Sequence, residues 1–245
     1  MVILDATTDP YFNLAAEEFI LRELPKPVLR LWRSKKCVII GRHQIPDLEV
    51  NLAEAEKAGV PVLRRLSGGG AVYHDLGNLN FTLVSRNPAS SGVSYDRFTA
   101  PVVAALNLVG FPATQGKRSD ICLGDAKISG SAFYLWRGCM LHHGTLLFDA
   151  DLAALNALLD VKNVEERGRR SVRSVHSPVA NLGRIYADRY ADTLEFLDVF
   201  GRAFATLMGE DFAAARPFTD EEKARIGEIA DATYRRPEWN ETGKI

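Results

Sequence analysis

Cysteine is scarce in this chain of 245 residues, and Cys37, Cys122 and Cys139 stand at irregular spacings. That excludes a disulfide framework and a cysteine-based zinc motif, and it points to a reducing, cytoplasmic setting. Long hydrophobic runs are missing too. No stretch approaches the ~20 apolar residues that cross a bilayer. The first residues lack a basic segment followed by an apolar one, so no secretory signal is expected. Neither sign of charge dominates, with 30 Lys+Arg against 31 Asp+Glu. Bulk attraction to nucleic acid or to an anionic membrane is therefore excluded, and any anion site must be local. There is no internal repeat and no linker. What is present is 47% hydrophobic residues, enough for the core of one α+β domain over 1–245.

The most informative stretch is Arg64-Arg65-Leu66-Ser67-Gly68-Gly69-Gly70-Ala71-Val72-Tyr73-His74-Asp75-Leu76-Gly77-Asn78. Consecutive glycines expose backbone N–H groups and leave no Cβ to keep a ligand away. With two arginines before them and His74, Asp75 and Asn78 after them, they suit a phosphate or a carboxylate. No Gly-Lys-Ser/Thr follows, so this is not a Walker A loop. The apolar runs at 60–63 and 79–84 read as strands, so the glycines join two strands over a pocket. The alternative is a plain hairpin with a glycine turn.

In chain order, residues 1–4 read as a short strand. Asp9-Pro10 opens a helix with an apolar stripe of Phe12, Leu14, Ala15, Phe19 and Leu21, and with Glu17, Glu18 and Glu23 on its wet side. Residues 28–32 and 37–40 alternate as strands. Arg42 and His43 after them are either ligand-facing or ordinary turn residues. Residues 50–58 read as a helix stopped by Gly59, 87–93 as a polar loop and 95–108 as an amphipathic helix. Residues 116–132 form a hairpin turning at Gly124-Asp125. Lys127 lies on its second strand among small residues that leave room for a ligand; a solvated strand lysine is the alternative. Residues 140–148 form a strand on which His142 and His143 point to opposite faces. They are not a metal pair, and one of them faces the site. Residues 151–159 and 192–207 are helical, and Thr219 caps a further helix with acidic first-turn residues. The basic run Arg167, Arg169, Arg170 and Arg173 is either a solvated loop or a receiver for an acidic partner.

Several of these segments together resemble the lipoate–protein ligase family, whose fold is shared with biotin ligases and octanoyltransferases. The resemblance runs from about Asp9 to the last residues. It rests on residues 9–18, the Arg64–Asn78 stretch, Asp125-Ala126-Lys127-Ile128-Ser129-Gly130-Ser131-Ala132, His142-His143-Gly144-Thr145-Leu146-Leu147, and the aromatic segment 234–240. It implies mixed, mostly antiparallel sheets flanked by helices. It also implies activation of lipoate by ATP to lipoyl-AMP, then transfer of the lipoyl group to a lysine of a carrier domain. Arg65, Ser67, Gly69, Gly70, Ala71, Val72, Tyr73, Asn78, Asp120 and Lys127 would hold ATP or lipoyl-AMP, with Asp120 near Mg²⁺. Lys127 would be catalytic, bridging the α-phosphate and the lipoate carboxyl oxygen. Gly70, His74, Gly130, Ala132, His143 and Thr145 would hold lipoate. The implied partners are the lipoyl domains of 2-oxoacid dehydrogenase E2 subunits and the glycine-cleavage H protein. Such acidic domains would favour a basic docking patch.

The sequence stops where many ligases of the family continue into a small C-terminal domain, so either a separate accessory protein is a further expected partner or the chain only transfers a preformed lipoyl-AMP. His176 and Pro178 stand where ligases often carry arginine. A rival reading is a transferase of the same fold that forms an acyl-enzyme on Cys139 and needs no ATP. Cys139 is one residue further from His143-Gly144 than in that family, and such a shift turns a strand side chain to the other face. A third reading is a catalytically idle module that binds lipoate or a lipoyl domain. Retention of Lys127 and Asp120 argues against it.

Overall fold

Asp9 accepts hydrogen bonds from the backbone N–H groups of Tyr11 and Phe12, and Pro10 follows at the first helical position. Helix α1 (Pro10–Glu23) therefore starts where both signals coincide. The computed structural model describes residues 1–86, 95–116, 120–159, 171–172, 174, 177–187 and 189–244. Its strands are β1 (Val2–Leu4), β2 (Val28–Trp32), β3 (Cys37–Ile40), β4 (Val62–Arg64), β5 (Val72–His74) and β6 (Asn78–Arg86). They continue as β7 (Thr114–Gln115), β8 (Ile121–Leu123), β9 (Ala126–Ser129), β10 (Ser131–Trp136) and β11 (Cys139–Leu147). The helices after α1 are α2 (Pro46–Glu49), α3 (Leu52–Lys57), α4 (Tyr95–Leu108), α5 (Leu152–Leu159) and α6 (Leu182–Ile185). Last come α7 (Thr193–Leu207), α8 (Asp220–Ile229) and α9 (Pro237–Thr242).

The strands form three sheets, ordered β1-β2-β6-β11-β10, β4-β3-β5 and β7-β8-β9. Only the β1–β2 and β3–β4 pairs are parallel, so the expected mixed, mostly antiparallel α+β architecture holds. The side-chain alternation of the large sheet divides the core. On one face Leu29, Leu31, Leu79 and Phe81 pack with Phe196, Phe200 and Phe204 of α7. On the other, Val28, Val84 and Leu141 pack with Leu14, Phe19 and Ile20 of α1 and with Tyr234 and Trp239 near the C-terminus. Among the described residues no helix is long and apolar enough to cross a membrane.

Three expectations change. Glu17 and Glu18 are not on a wet face: they are 4% and 6% exposed. Glu18 accepts from the Tyr234 hydroxyl at 2.7 Å and pairs with Arg22 at 2.9 Å, while Glu17 faces the sheet. The helix expected over 50–58 is the shorter α3, which Asn51 caps through the N–H of Glu54, and a further short helix, α2, precedes it. A strand, β5, lies between the glycines and β6 and pairs with β3 in the second sheet. Arg42 is a turn residue whose guanidinium stacks 4.2 Å from the Trp239 ring, and His43 is exposed. The polar loop 87–93, the basic residues Arg167, Arg169, Arg170 and Arg173, and His176 lie outside the described residues.

Phe200 of α7 is fully buried against the large sheet. Phe200→Ala is expected to cost about 3–5 kcal/mol, read as a lowered urea midpoint at unchanged slope.

Candidate active site

On the α1 face of the large sheet, two cross-strand rows are polar where the rest of that face is apolar. Trp32, Asn80 and Thr145 stand side by side on β2, β6 and β11, and Arg30, Thr82, His143 and Ala132 form the next row. A cavity of about 640 Å³ lies over them, closed by Leu14 and Glu17 of α1, Ile39 of β3 and the glycine stretch. Two strand spacings separate Trp32 from Thr145, about 10 Å. Trp32 and His74 therefore mark one end of the cavity, and Lys127 with Asp120 marks the other.

Gly124, at φ +58°, turns the β8–β9 hairpin and delivers Lys127 to the cavity. The Lys127 backbone N–H donates to the Pro178 carbonyl at 2.9 Å, and its carbonyl accepts from the Ala180 N–H at 3.0 Å. The strand is thus held from both sides. Lys127 Nζ is 2.8 Å from Asp120 Oδ1, with both side chains about three-quarters buried. A Cβ on Gly130 would stand 3.4 Å from Lys127 Cε, an ordinary packing distance, so Gly130 lies directly against the lysine stem.

The glycine stretch is pinned from below and above. A Cβ on Gly41 would come within 2.1 Å of the Gly69 carbonyl oxygen, so glycine at position 41 allows the close approach. Gly69 itself has φ +90°, a conformation that favours glycine. Above it, Ser174 accepts from the Ala71 N–H at 2.8 Å and from Gln44 Nε2 at 3.1 Å. Arg65 donates to the Gly68 and Gly70 carbonyls at 2.6 and 2.8 Å, to Ser67 Oγ at 2.9 Å and to the Ile39 carbonyl at 3.2 Å. Burial lowers its pKa to about 10, so Arg65 stays cationic at neutral pH.

His143 Nδ1 lies 2.8 Å from Glu17 Oε2, and Thr82 donates to Glu17 Oε1 at 2.6 Å. Burial pushes the Glu17 carboxyl up, but His143, Thr82 and Arg30 outweigh it and hold the group below its ordinary value. His74 is buried with neither ring nitrogen hydrogen-bonded, and Asn80 Nδ2 likewise lacks a partner. Burial depresses the His74 pKa to about 3, so this ring is neutral at neutral pH.

Of the residues that the resemblance assigned to ATP, lipoyl-AMP or lipoate, Arg65, Gly69, Gly70, Ala71, Val72, His74, Asp120, Lys127, Gly130, Ala132, His143 and Thr145 line this cavity. Ser67, Tyr73 and Asn78 do not. Ser67 is wholly buried behind His143, at 2.6 Å. Tyr73 packs among Val38, Ile40 and Leu158. Asn78 reaches the wall only through Asn80, donating to Oδ1 at 2.8 Å. His142 points to the opposite face, stacked on Phe133 with centroids 4.4 Å apart. Cys139 lies four residues from His143 along β11, about 13 Å away, and is not in the cavity wall.

Glu17, Trp32, Asn80 and Ser174 line the cavity without having been expected there. Asn80 and Thr82 carried a signal, since they alternate with Leu79, Phe81 and Leu83 along a strand buried on both faces. Glu17 carried none, because a glutamate in an amphipathic helix reads as solvated.

A substrate-sized cavity between a mixed sheet and its first helix, with a lysine at one end, defines an α+β catalytic domain. Residues 9–205 match the lipoyl protein ligase A/B catalytic domain, and the chain belongs to that family. Lipoate–protein ligase 1 of Staphylococcus aureus is 34% identical over 235 residues, covering 95% of this chain and 70% of that protein. Protein Ta0514 of T. acidophilum with bound lipoic acid superposes with a TM-score of 0.82 at 31% identity, covering 98% of this chain and 97% of the other. Lipoate-protein ligase A bound with ATP gives 0.82 at 32% identity, with the same 98% and 97% coverage. The bi-partite lipoate protein ligase of Thermoplasma acidophilum, studied with its E2 lipoyl domain, gives 0.81 at 31% identity over 98% and 94%.

Burial also depresses the His142 pKa to about 3. Between the ordinary histidine value of 6.5 and about 3, His74 and His142 bind fewer protons folded than unfolded. Stability should therefore fall as pH falls through that window, by up to about 1.4 kcal/mol per pH unit for each histidine. Urea midpoints at pH 7, 6 and 5 measure the slope, and His142→Phe is expected to flatten it. A slope unchanged in that variant would show that His142 is not held neutral.

Proposed function

We propose that the chain is a lipoate–protein ligase. It activates lipoate with ATP to lipoyl-AMP, releasing pyrophosphate, and passes the lipoyl group to a lysine of a lipoyl carrier domain. The observation that carries this reading is that Lys127, Arg65 and the glycine stretch line one cavity of about 640 Å³. The ATP-bound and lipoic-acid-bound relatives support it.

A carboxylate is a poor acylating agent until one oxygen becomes a good leaving group. In the first step a lipoate carboxylate oxygen attacks the α-phosphorus, and pyrophosphate leaves. Charge gathers on the phosphate oxygens, so fixed donors there lower the barrier most. Lys127 reaches the α-phosphate and the lipoate carboxyl oxygen once Asp120 releases it. Arg65 shapes the Gly69–Gly70–Ala71–Val72 backbone that faces the nucleotide. In the second step the acceptor amine attacks the carbonyl carbon, the C–O bond to AMP breaks, and the amine loses its proton. The lipoyl tail runs along the Ala132, His143 and Thr145 side of the cavity toward His74 and Trp32.

Asp120 would hold Mg²⁺ beside the triphosphate. Among the described residues no three His, Cys, Asp or Glu side chains form a metal site. One carboxylate fits an ion that arrives with the nucleotide, since Mg²⁺ is commonly held by one or two carboxylates plus substrate phosphates. Bound there, it would neutralise phosphate charge. E2 lipoyl domains and the glycine-cleavage H protein are the acceptors we expect, in the cytoplasm. The bi-partite relative, studied with its E2 lipoyl domain, supports the first of these. It also makes an accessory polypeptide the first component to add if the chain alone is inactive.

Pyrophosphate release from lipoate, ATP and Mg²⁺ is the test. Release should depend on lipoate, and Lys127→Ala should lower it at least about 100-fold. Absence of release with the accessory polypeptide and carrier also supplied would overturn the reading. Cys139→Ser should leave the rate within about twofold, whereas a complete loss would establish thiol chemistry instead.

A further inference from the structure

Six buried side chains form one hydrogen-bonded line across the cavity wall. Trp32 Nε1 lies 2.9 Å from Thr82 Oγ1, which lies 2.6 Å from Glu17 Oε1. Glu17 Oε2 lies 2.8 Å from His143 Nδ1, and His143 Nε2 lies 2.6 Å from Ser67 Oγ. Ser67 Oγ lies 2.9 Å from Arg65 Nε.

The two ends set the direction of every hydrogen. An indole N–H and a guanidinium N–H can only donate. Thr82 Oγ1 accepts from Trp32, so its own hydrogen goes to Glu17. Ser67 Oγ accepts from Arg65, so its hydrogen goes to His143 Nε2. His143 must then carry its proton on Nδ1 and donate it to Glu17. All the hydrogens run toward Glu17, which has acceptors only. Its charge is the sink that orients the line, and Arg30 and Arg65 offset that charge electrostatically. Without an acceptor on Glu17, His143 would shift its proton to Nε2. Ser67 would then face two donors, with its own buried hydrogen unpaired.

We propose that Glu17 is a positioning residue for the nucleotide: through His143 and Ser67 it holds the Arg65 guanidinium, and with it the Gly68–Gly70 turn. The nature of the ligand rests on the ligase reading; the hydrogen-bond direction does not. A mere wall residue on α1 would affect only the acyl substrate.

The experiment titrates ATP, without lipoate, into the full chain by calorimetry. Glu17→Met, similar in size but without an acceptor, should weaken ATP binding about tenfold. Glu17→Gln keeps an oxygen for the Nδ1 hydrogen and should stay within about threefold of the parent. Unchanged ATP affinity in Glu17→Met, or equal loss in both variants, would overturn the proposal. The unaltered protein gives an independent reading by ¹⁵N NMR of its histidines. The neutral form of His143, assigned by loss of its signal in His143→Gln, should be the Nδ1–H tautomer, and the Nε2–H tautomer would overturn the proposal. Lipoate-dependent pyrophosphate release by the unaltered protein tests the ligase reading separately, so the two failures are distinguishable.

Discussion

The Arg64 guanidinium, 1% exposed, joins the parts from which the site is assembled. It donates to the carbonyls of Gly41, Arg42 and Gln44 on one side and to those of Trp239, Asn240 and Glu241 on the other. These partners are main-chain carbonyls, so the charge is spread over fixed dipoles. Trp239 returns the contact by donating its indole N–H to the Arg64 carbonyl at 2.8 Å. The last helix, the turn after β3 and the end of β4 are thereby locked together. The next residue along the chain is Arg65, so the point from which the glycine stretch departs is set by this clamp.

The remaining constraints follow outward from it. The turn that Arg64 holds contains Gly41, whose bare Cα lets the Gly69 carbonyl approach, and Gln44, whose side chain reaches Ser174. Ser174 in turn takes the Ala71 N–H. The glycine stretch, although its residues are individually permissive, is bonded from both sides, and under the proposed function it would need little reorganisation on meeting the nucleotide. Such preorganisation is what electrostatic catalysis requires, because donors that must first turn spend part of their stabilisation on turning.

The large sheet meets a different requirement. One face carries a phenylalanine-rich core against α7, which supplies much of the apolar burial. The other face can then hold polar groups beneath α1. Those groups are costly to bury unless they are paired, and the line from Trp32 to Arg65 pairs them. Arg30 Nε, His74 and Asn80 Nδ2 are among the groups left without partners, the last two at the end of the cavity away from Lys127. The same geometry separates the ligase from the thiol transferase of this fold. The lysine is brought to the cavity by a hairpin tied on both sides, whereas Cys139 lies far along β11 and outside the wall.

Much of this was legible in the amino-acid sequence. Consecutive glycines flanked by arginine, a lysine among small residues and adjacent histidines on a strand are local signals, and local sterics decide them. Strand alternation by itself implied that His142 and His143 part company. Most strands and the capped helix starts followed from patterns a few residues long, and the resemblance to the ligase family supplied most of the candidate site residues. The burial of Glu17 did not, nor did the inclusion of Trp32 or the withdrawal of Ser67, Tyr73 and Asn78 behind the wall. Those depend on which helix covers which face of the sheet and on the register of β2, β6 and β11. Register and layer order are set by contacts between residues far apart in the chain. A buried glutamate is tolerated only where partners such as His143, Thr82 and Arg30 meet it, and only the tertiary structure brings them together.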